Sequence, residues 1–547
     1  MSENAVPGSA APLDSDQKEK IRKLLRSHLP PPLYTPSTIS ALALELAQYD
    51  TKMARAPQNM DQLLVQRAEV QAHYINCMGL FAPIRRIPTE ILVEIFKMCW
   101  EAFASTIGKG AGGMSLAGEM SRLAHAPLLT LSQVCIRWHT IALGTPALWC
   151  DIDVEAILWA DPLHVDNNMN LLRAALERSG NHPLSVSISN ERSVIPHVPA
   201  YGLISRHSER WETVVLECRF SDLLPLSGIK GRLPNVENLH IYCWGGDAVR
   251  ALETFRDLPR LRHIDFCPIA GRSLAQLPWE QLNDVECWEF RLHGNESVIP
   301  TILPRLSRGA TFCLAFSWLD QDVETDQPLD GPSVRSDIAV LVIQVSDFSP
   351  TIAPTTLEFL LATLTLPLLN EFVFVVQNMC SDLPFLWSHS QFLSLSERSS
   401  FHSHLHTLHI YHVTISDAEL LQALAVLPAL KSLSISDHAQ LPRDGSVEQV
   451  LISDTLLVAL TRTPASPCLV PDLHFFDCQS MLRFDDNVYL NCVLSRVQGL
   501  QGPKTFECEL WWLPGHHREL DPTVSRTIRE LRSEKRLLFC FAQTEDS

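Results

Sequence analysis

The sequence predicts an α/β protein in which N-terminal helices precede an irregular solenoid of short parallel strands that alternate with helices. Three observations support this prediction. Two adjacent segments before residue 150 have apolar residues at helical spacing. After residue 150, an apolar motif of the form P-x-L-x-x-L-x-L recurs. Runs with helical spacing lie between copies of this motif, so each unit combines one strand with one helix.

Residues 1–34 are predicted to be a disordered tail, because they mix small, charged and proline-rich stretches of low hydrophobicity. Residues 35–80 follow as a predicted helical hairpin, with Pro36 at the first helical position and a break at Pro57. The hairpin could pack on the next domain, pack on the repeats or form a coiled-coil dimer. It has fewer clean heptads than a coiled coil normally needs.

Two amphipathic helices are predicted in the domain at residues 81–149. In the first, Pro88 suits the first helical turn, where its missing N–H would be unpaired anyway. The apolar residues that follow on one face are Ile91, Leu92, Ile95, Phe96 and Cys99. In the second helix, the repeating positions are Leu128, Leu131, Val134, Cys135, Trp138 and Ile141. Periodicity alone would describe two core helices of an α-rich domain.

The identities of these residues resemble the F-box family, whose pattern is roughly LPxEΦLxxIF followed by LxxVCxxW. The chain has IPTEILVEIF from Ile87 and LSQVCIRW from Leu131, in that order. The segment is similar to F-box-like proteins abundant in mushroom-forming fungi, in which stretches like residues 85–88 and 145–149 recur. It departs from the family pattern through a Gly-rich insertion at about residues 102–126.

The insertion contains Gly108, Gly110 and Gly113, which spell G-x-G-x-x-G. A dinucleotide-binding fingerprint follows a buried strand and opens a helix, whereas these glycines follow a predicted helix and precede a polar stretch. We therefore interpret the insertion as a loop and not as a nucleotide site.

The resemblance implies that the chain is the substrate-recognition subunit of an SCF-type (Skp–cullin–F-box) E3 ubiquitin ligase. In that family the F-box helices bind a Skp-type adaptor, which joins them to a cullin, and the C-terminal domain binds the protein to be degraded. The implied adaptor-binding residues, some of which must instead hold helix to helix, are Pro88, Ile91, Leu92, Ile95, Phe96, Leu131, Val134, Cys135 and Trp138. We expect Leu92→Asp to abolish adaptor binding while the repeats stay folded.

The motif after residue 150 has the period of leucine-rich repeats. Five copies, and a sixth without the proline, begin at Pro234, Pro259, Pro367, Pro428, Pro471 and Leu405. Val236 and Leu261 are 25 residues apart, within the range of about 20–29 for such repeats. Residues 150–547 thus resemble a divergent leucine-rich-repeat solenoid. No Asn follows the motif, and residues 277–347 fit it poorly.

One helix of this solenoid is predicted clearly, at residues 416–427. Ser416 and Glu419 form a capping-box pattern, and Pro428 ends the helix. Ser453 precedes a similar apolar run. Further strands are predicted near residues 184–188 and 210–216.

Strand residues that alternate with the apolar positions point to the opposite face of the sheet. We predict that this face contacts the target protein, whose identity the sequence does not give. The predicted contact residues are His240, Tyr242, Asp265, His409, Tyr411, Ser434 and Asp477.

We predict no enzyme, cofactor or metal site, because the sequence has no G-x-S-x-G, H-E-x-x-H or Walker A motif. His402, His404 and His406 would share a face if they lay on a strand, but no Cys or carboxylate lies close in sequence to complete a zinc shell. Two other functions stay open. One is a leucine-rich-repeat scaffold that is not coupled to ubiquitination, and the other is an enzyme whose site no motif reveals.

Composition narrows the choice of partners and compartment. With 44 basic and 62 acidic residues the net charge is −18, which opposes binding to nucleic acid and to anionic membranes. The fifteen cysteines include no C-x-x-C pair and are expected to be reduced. No signal peptide or membrane-spanning stretch is recognisable, so we expect a protein of the cytoplasm or nucleus.

Overall fold

The computed structural model describes residues 15–27, 36–55, 60–108, 126–154, 165–189, 198–267, 274, 276–288, 298–317, 333–346, 352–377, 385, 387–436, 452–463, 468–480, 484–498, 506–512, 519–534 and 537–543. The chain divides into two compact units. The first contains residues 1–189 and 202–204, and the second contains residues 190–201 and 205–547.

The first unit is mostly helical. Its helices are α1 (Ser15–Arg26), α2 (Pro36–Arg55), α3 (Met60–Leu80), α4 (Thr89–Gly108), α5 (Ala126–Ser132), α6 (Ile136–Gly144) and α7 (Val165–Arg178). Two 3₁₀ helices, Pro83–Arg86 and Pro146–Trp149, precede α4 and follow α6. Strands β1 (Asp151–Asp153) and β2 (Leu184–Ser189) pair in parallel. Helices α2 and α3 lie where the sequence predicts a hairpin.

Helix α1 lies within the segment that the sequence predicts to be disordered. Its Ile21 is buried in a cluster with Cys77 and Leu80 of α3, and Leu24 and Leu25 pack against the same cluster. The segment contains few apolar residues, and most of the other side chains of α1 are charged or polar. A narrow apolar side is nevertheless enough to bind a helix to its neighbour.

The insertion predicted at about residues 102–126 begins with helical residues. Helix α4 continues through the first part of it and ends at Gly108. Gly110 and Gly113 lie outside the described residues.

The second unit is built on a long parallel sheet. In spatial order its strands are β3 (Trp211–Glu217), β4 (Asn238–Ile241), β5 (His263–Phe266), β6 (Asp284–Cys287), β7 (Thr311–Ser317), β9 (Val340–Ser346), β11 (Glu371–Gln377), β12 (Thr407–Tyr411), β13 (Ser432–Ser436), β14 (Phe475–Ser480), β15 (Phe506–Trp512) and β16 (Leu537–Gln543). A separate parallel pair joins β8 (Val334–Arg335) to β10 (Leu364–Thr365). Spatial order follows chain order, as it does when successive repeats stack.

Helices precede or separate these strands. They are α8 (Val198–Ile204), α9 (Ala248–Leu252), α10 (Val298–Ile302), α11 (Ile352–Thr363), α12 (His389–Ser399), α13 (Phe401–His404), α14 (Asp417–Ala425), α15 (Asp454–Leu460), α16 (Asp486–Gln498) and α17 (Pro522–Ser533). Elsewhere 3₁₀ helices stand between strands, as Phe220–Ile229, Glu253–Phe255, Trp279–Gln281 and Leu303–Arg305.

Each of the six predicted motifs supplies a strand, namely β4, β5, β11, β12, β13 and β14. The structure adds β6, β7 and β9 in the region that fits the motif poorly. Two of these strands keep the motif spacing with other buried apolar residues: Leu282, Val285 and Cys287 in one, and Ile338, Leu341 and Ile343 in the other. The leucine-based motif does not predict these two strands, because a core layer accepts different apolar side chains of suitable volume.

Local hydrogen bonds fix the helices of the second unit. The capping box before α14 is confirmed, since Ser416 Oγ accepts from the N–H of Glu419, whose carboxylate accepts from the N–H of Ser416. Ser453 caps α15 with its side chain alone, since its Oγ accepts from the N–H of Leu456.

Among the described residues of this unit, Arg496 is a buried arginine. Arg496 is only 1% exposed, and its guanidinium donates to the carbonyls of Leu460 at 2.8 Å and Val470 at 2.7 Å. The last carbonyls of a helix have no intrahelical donors, and Leu460 ends α15. Arg496 therefore supplies the donors that the end of α15 requires.

Candidate functional site

The first candidate site is formed by α4, α5 and α6 and the chain that leads into them. Arg137 of α6 donates hydrogen bonds to the carbonyls of Arg85 at 2.9 Å and Ile87 at 2.5 Å. Arg85 itself donates to three carbonyls at the end of α1, at 2.6, 2.9 and 3.0 Å. These bonds fix the segment before α4 between α6 and α1.

Two of the predicted adaptor-binding residues lie in the interior of the first unit. Leu92 is 0% and Phe96 is 1% exposed. The Phe96 ring contacts the ring of Trp138 edge to face, with centroids 5.0 Å apart, and so holds α4 to α6. Leu92→Asp would place a carboxylate in this core. It would therefore remove adaptor binding by unfolding the helices and cannot report on a direct contact.

Four other predicted residues are half-buried: Ile95, Leu131, Cys135 and Trp138. Cys135 has a local role, because it is the N-cap of α6 and its Sγ accepts from the N–H of Trp138 at 3.5 Å.

Trp149, in the 3₁₀ helix that follows α6, is fully buried. Its Nε1 donates to the carbonyl of Ala142 at 2.8 Å, and the guanidinium of Arg178 lies 4.7 Å from its ring centroid. The residue therefore fastens the chain after α6 back onto that helix.

The remaining predicted residues are on the surface. Pro88 is exposed, Ile91 is 51% exposed and Val134 is 54% exposed. The structure adds Met98 and Ile136, which are 66% and 60% exposed. Sequence reasoning missed these two because the family pattern leaves their positions open.

Ile91, Ile95 and Met98 are spaced i, i+4 and i+7 on α4 and therefore form one apolar stripe. Ile136 lines an open groove of about 550 Å³ together with Thr89 and Arg137. We call the four exposed residues Ile91, Met98, Val134 and Ile136 the apolar surface of the first unit.

The second candidate site is the face of the long sheet on which the seven predicted target-binding residues lie. Strand register places His240 beside Asp265, and it places His409, Ser434 and Asp477 side by side on three consecutive strands. The sequence predicts that all seven point outward. Asp265 and Ser434 are in fact 6% and 1% exposed, because each lies between larger side chains of the neighbouring strands.

The first of these groups is a polar cluster on β4, β5 and β6. The carboxylate of Asp265 accepts a hydrogen bond from the hydroxyl of Tyr242, and its Oδ2 lies 3.3 Å from His240 Nδ1. The structure adds His263, whose Nδ1 lies 3.1 Å from Asp284 Oδ2.

Glu286 lies beside Asp265 in the strand register and belongs to the same cluster. Burial and the nearby carboxylates of Asp265 and Asp284 raise the pKa of Glu286. The residues on β6 were missed because β6 itself does not match the leucine-based motif.

The second group lies on β12, β13 and β14. His409 Nε2 is 3.2 Å from Ser432 Oγ, and the ring centroids of His409 and Tyr411 are 5.9 Å apart. Burial, together with the carboxylate of Glu509, raises the pKa of Asp477 to about 6.

The sheet face is acidic. The strands of the long sheet contain no Lys or Arg. Their partly exposed or buried carboxylates on this face include Asp265, Asp284, Glu286, Glu371, Asp477, Glu507 and Glu509.

His402, His404 and His406 are not arranged as they would be on a strand. His402 and His404 lie on the short helix α13, where both are exposed, and His406 lies between that helix and β12. They do not form a shared strand face. No helix among the described residues is long and apolar enough to cross a membrane.

The structure thus defines a mixed α/β protein with N-terminal helices followed by a long sheet of parallel strands, consistent with a solenoid-like fold. Residues 84–155 match the family model described as F-box-like, a segment that contains α4, α5 and α6. F-box domains generally bind Skp-type adaptors, and the family is typically non-enzymatic. A comparison of the chain with curated proteins finds no match.

Proposed function

We propose that the chain is the substrate-recognition subunit of an SCF-type E3 ubiquitin ligase. The F-box-like segment binds a Skp-type adaptor and through it a cullin. The strand repeats bind a target protein for ubiquitin-dependent degradation. The observation that best supports this proposal is the apolar surface of the first unit, which lies within the F-box-like match.

Isolated exposed apolar residues are common on proteins, so number and position matter here. All four residues of the apolar surface are more than half exposed, and two of them share a stripe of α4. Burial of such side chains at an interface is favourable by roughly 25 cal/mol per Å² of apolar surface. The adaptor would provide the surface that covers them.

The test introduces aspartate at exposed apolar positions, at two of them on the apolar surface and at one in the second unit as a control. One variant combines Ile91→Asp with Val134→Asp on the apolar surface. The control is Val458→Asp, since Val458 is an equally exposed apolar residue, 61% accessible, on α15 of the second unit. Each full-length protein is co-expressed with a tagged Skp-type adaptor and purified through the tag.

We expect wild type and the control to be captured stoichiometrically and the double variant to be lost, with unchanged circular dichroism. Capture of the folded double variant would refute the assigned contact surface. A folded wild type that is never captured would refute the ligase role and favour a repeat scaffold without ligase coupling.

For the target, we propose a segment rich in Lys or Arg. The carboxylates on β14 and β15, Asp477, Glu507 and Glu509, have no Lys or Arg among the residues of the long sheet. Complementary charge would speed association and select the partner. In a random peptide library, wild type should enrich basic peptides in a salt-sensitive manner, and Glu507→Lys with Glu509→Lys should remove that enrichment. Equal enrichment by both proteins would contradict this part of the proposal.

A further inference from the structure

Within the polar cluster on β4, β5 and β6, three residues have the composition and geometry of a metal site. His240, His263 and Asp265 each offer one ligand atom, and these atoms all lie within 4.8 Å of one another. From this arrangement we propose that the sheet face binds one Zn²⁺ ion through His240, His263 and Asp265. The site is independent of adaptor binding.

The strand backbone positions these ligands. His263 and Asp265 are two residues apart on β5, so their side chains leave the same face of the sheet. His240 is the register neighbour of Asp265 on β4. Ligands on two paired strands are held by the ladder itself, which gives the cluster the rigidity that a metal site needs.

The ligands also have the supporting partners that metal-binding residues usually have. His263 Nδ1 lies 3.1 Å from Asp284 Oδ2, which leaves Nε2 of the same ring available for a metal. A carboxylate in this position fixes the ring orientation and tautomer of a ligating histidine. The hydroxyl of Tyr242 similarly donates to the carboxylate of Asp265.

A cation would resolve an unfavourable feature of the cluster. Asp265 is only 6% exposed, and its buried Oδ1 has no hydrogen-bond donor within the described part of the chain. The carboxylates of Asp284 and Glu286 lie close by, on the neighbouring strand β6. No Lys or Arg lies on these strands to balance the negative charge. A divalent cation balances that negative charge and binds Oδ1 of Asp265, the oxygen that lacks a hydrogen-bond donor.

The donor set favours zinc. Two imidazoles and one carboxylate suit Zn²⁺ and related transition metals, whereas Mg²⁺ and Ca²⁺ prefer sites made only of oxygen. Three protein ligands leave the fourth tetrahedral position for water or for a side chain of a bound protein. On this interpretation, two of the predicted target-contact residues, His240 and Asp265, act first as metal ligands.

The test measures zinc binding by the full-length protein after chelator treatment, in competition with a chromophoric zinc chelator. Cysteines elsewhere in the chain are the main competing ligands, so variants must isolate the site. Asp265→Asn keeps the side-chain shape, and His240→Ala with His263→Ala removes both imidazoles. The control is His402→Ala with His404→Ala, which removes two exposed histidines of α13.

We expect wild type and the control to hold one equivalent of zinc more than either site variant. Asp284→Asn should weaken that equivalent by about 10–100-fold. X-ray absorption of the loaded wild type should show a shell of nitrogen and oxygen with imidazole scattering and no sulfur. The proposal is overturned if the folded site variants retain the same zinc content and affinity, if the bound zinc is coordinated by sulfur, or if folded wild type binds no zinc.

Discussion

The two units of the chain present different surfaces. In the first unit the exposed functional candidates are apolar side chains on helices, such as Ile91 and Ile136. In the second unit the candidates are carboxylates, imidazoles and phenols on strands, such as the half-buried Asp477 and Tyr411. An apolar surface suits an apolar partner surface, whereas an acidic face suits a basic one. We therefore expect the proposed adaptor contact and the proposed target contact to depend on separate residues, so that each can be lost without the other.

The largest expected effect comes from a buried charge in either unit. Leu92 and Leu433 are both 0% exposed, one in α4 and the other in β13. Leu92→Asp and Leu433→Asp should each destabilise their own unit by more than about 4 kcal/mol, because the carboxylate has no partner in the core. Hydrogen exchange resolved by peptide should show lost protection in the mutated unit. Loss of protection throughout the chain in both variants would contradict the separation of the units.

A second contrast concerns two of the arginines that donate to carbonyls at helix ends. Arg496 is fully buried, whereas Arg85 is half-buried. Arg496→Met should cost about 3 kcal/mol, since several buried carbonyls lose their donor, and Arg85→Met about 1 kcal/mol, since water can replace it. Urea denaturation followed by circular dichroism measures both. Equal costs would show that burial does not determine the strength of these contacts.

A third contrast compares helix caps. Ser416 caps α14 through a complete capping box, whereas Cys135 caps α6 through a thiol at 3.5 Å. Ser416→Ala should cost about 1 kcal/mol. Cys135→Ala should cost less, because a thiol sulfur is a weak acceptor. The same urea denaturation assay measures both costs. A larger effect at Cys135 would show that this residue has a role beyond capping.

A further contrast is a pH dependence carried by the second unit. The folded-state pKa of Asp477 is raised to about 6 by burial and by Glu509, above its ordinary value. The folded state therefore binds this proton more tightly than the unfolded state does, and the group stabilises the fold as pH falls from about 6 toward about 4. Asp477→Asn should flatten that part of the stability profile of wild type. An unchanged profile would show that Asp477 does not titrate in this range.

Sequence periodicity predicted the elements whose signal is local. The capping box at Ser416 and the strands that carry the leucine motif depend on residues within a few positions of one another. Helix α1 was missed because its apolar side is narrow, and β6 and β9 because other apolar residues replace leucine. The sequence could not predict that Leu92 is buried while Ile91 is exposed, because both are apolar residues that fit the same family pattern.

The metal-type cluster could not be predicted for a different reason. His240 and His263 come from successive repeats, and only the strand register brings them to one place. By contrast, the histidines near residue 404 are close in sequence but lie on a short helix and the chain after it. Proximity in a solenoid follows the repeat register and not distance along the chain.

The most direct test of the central claim is hydrogen exchange of the full-length chain with and without a purified Skp-type adaptor. Adaptor binding should protect peptides that contain residues 88–98 and 134–138 and leave peptides from β4 to β15 unchanged. That result would place the adaptor on the apolar surface and keep the sheet face available for a target. Protection on the strands, with none in α4 or α6, would contradict the account.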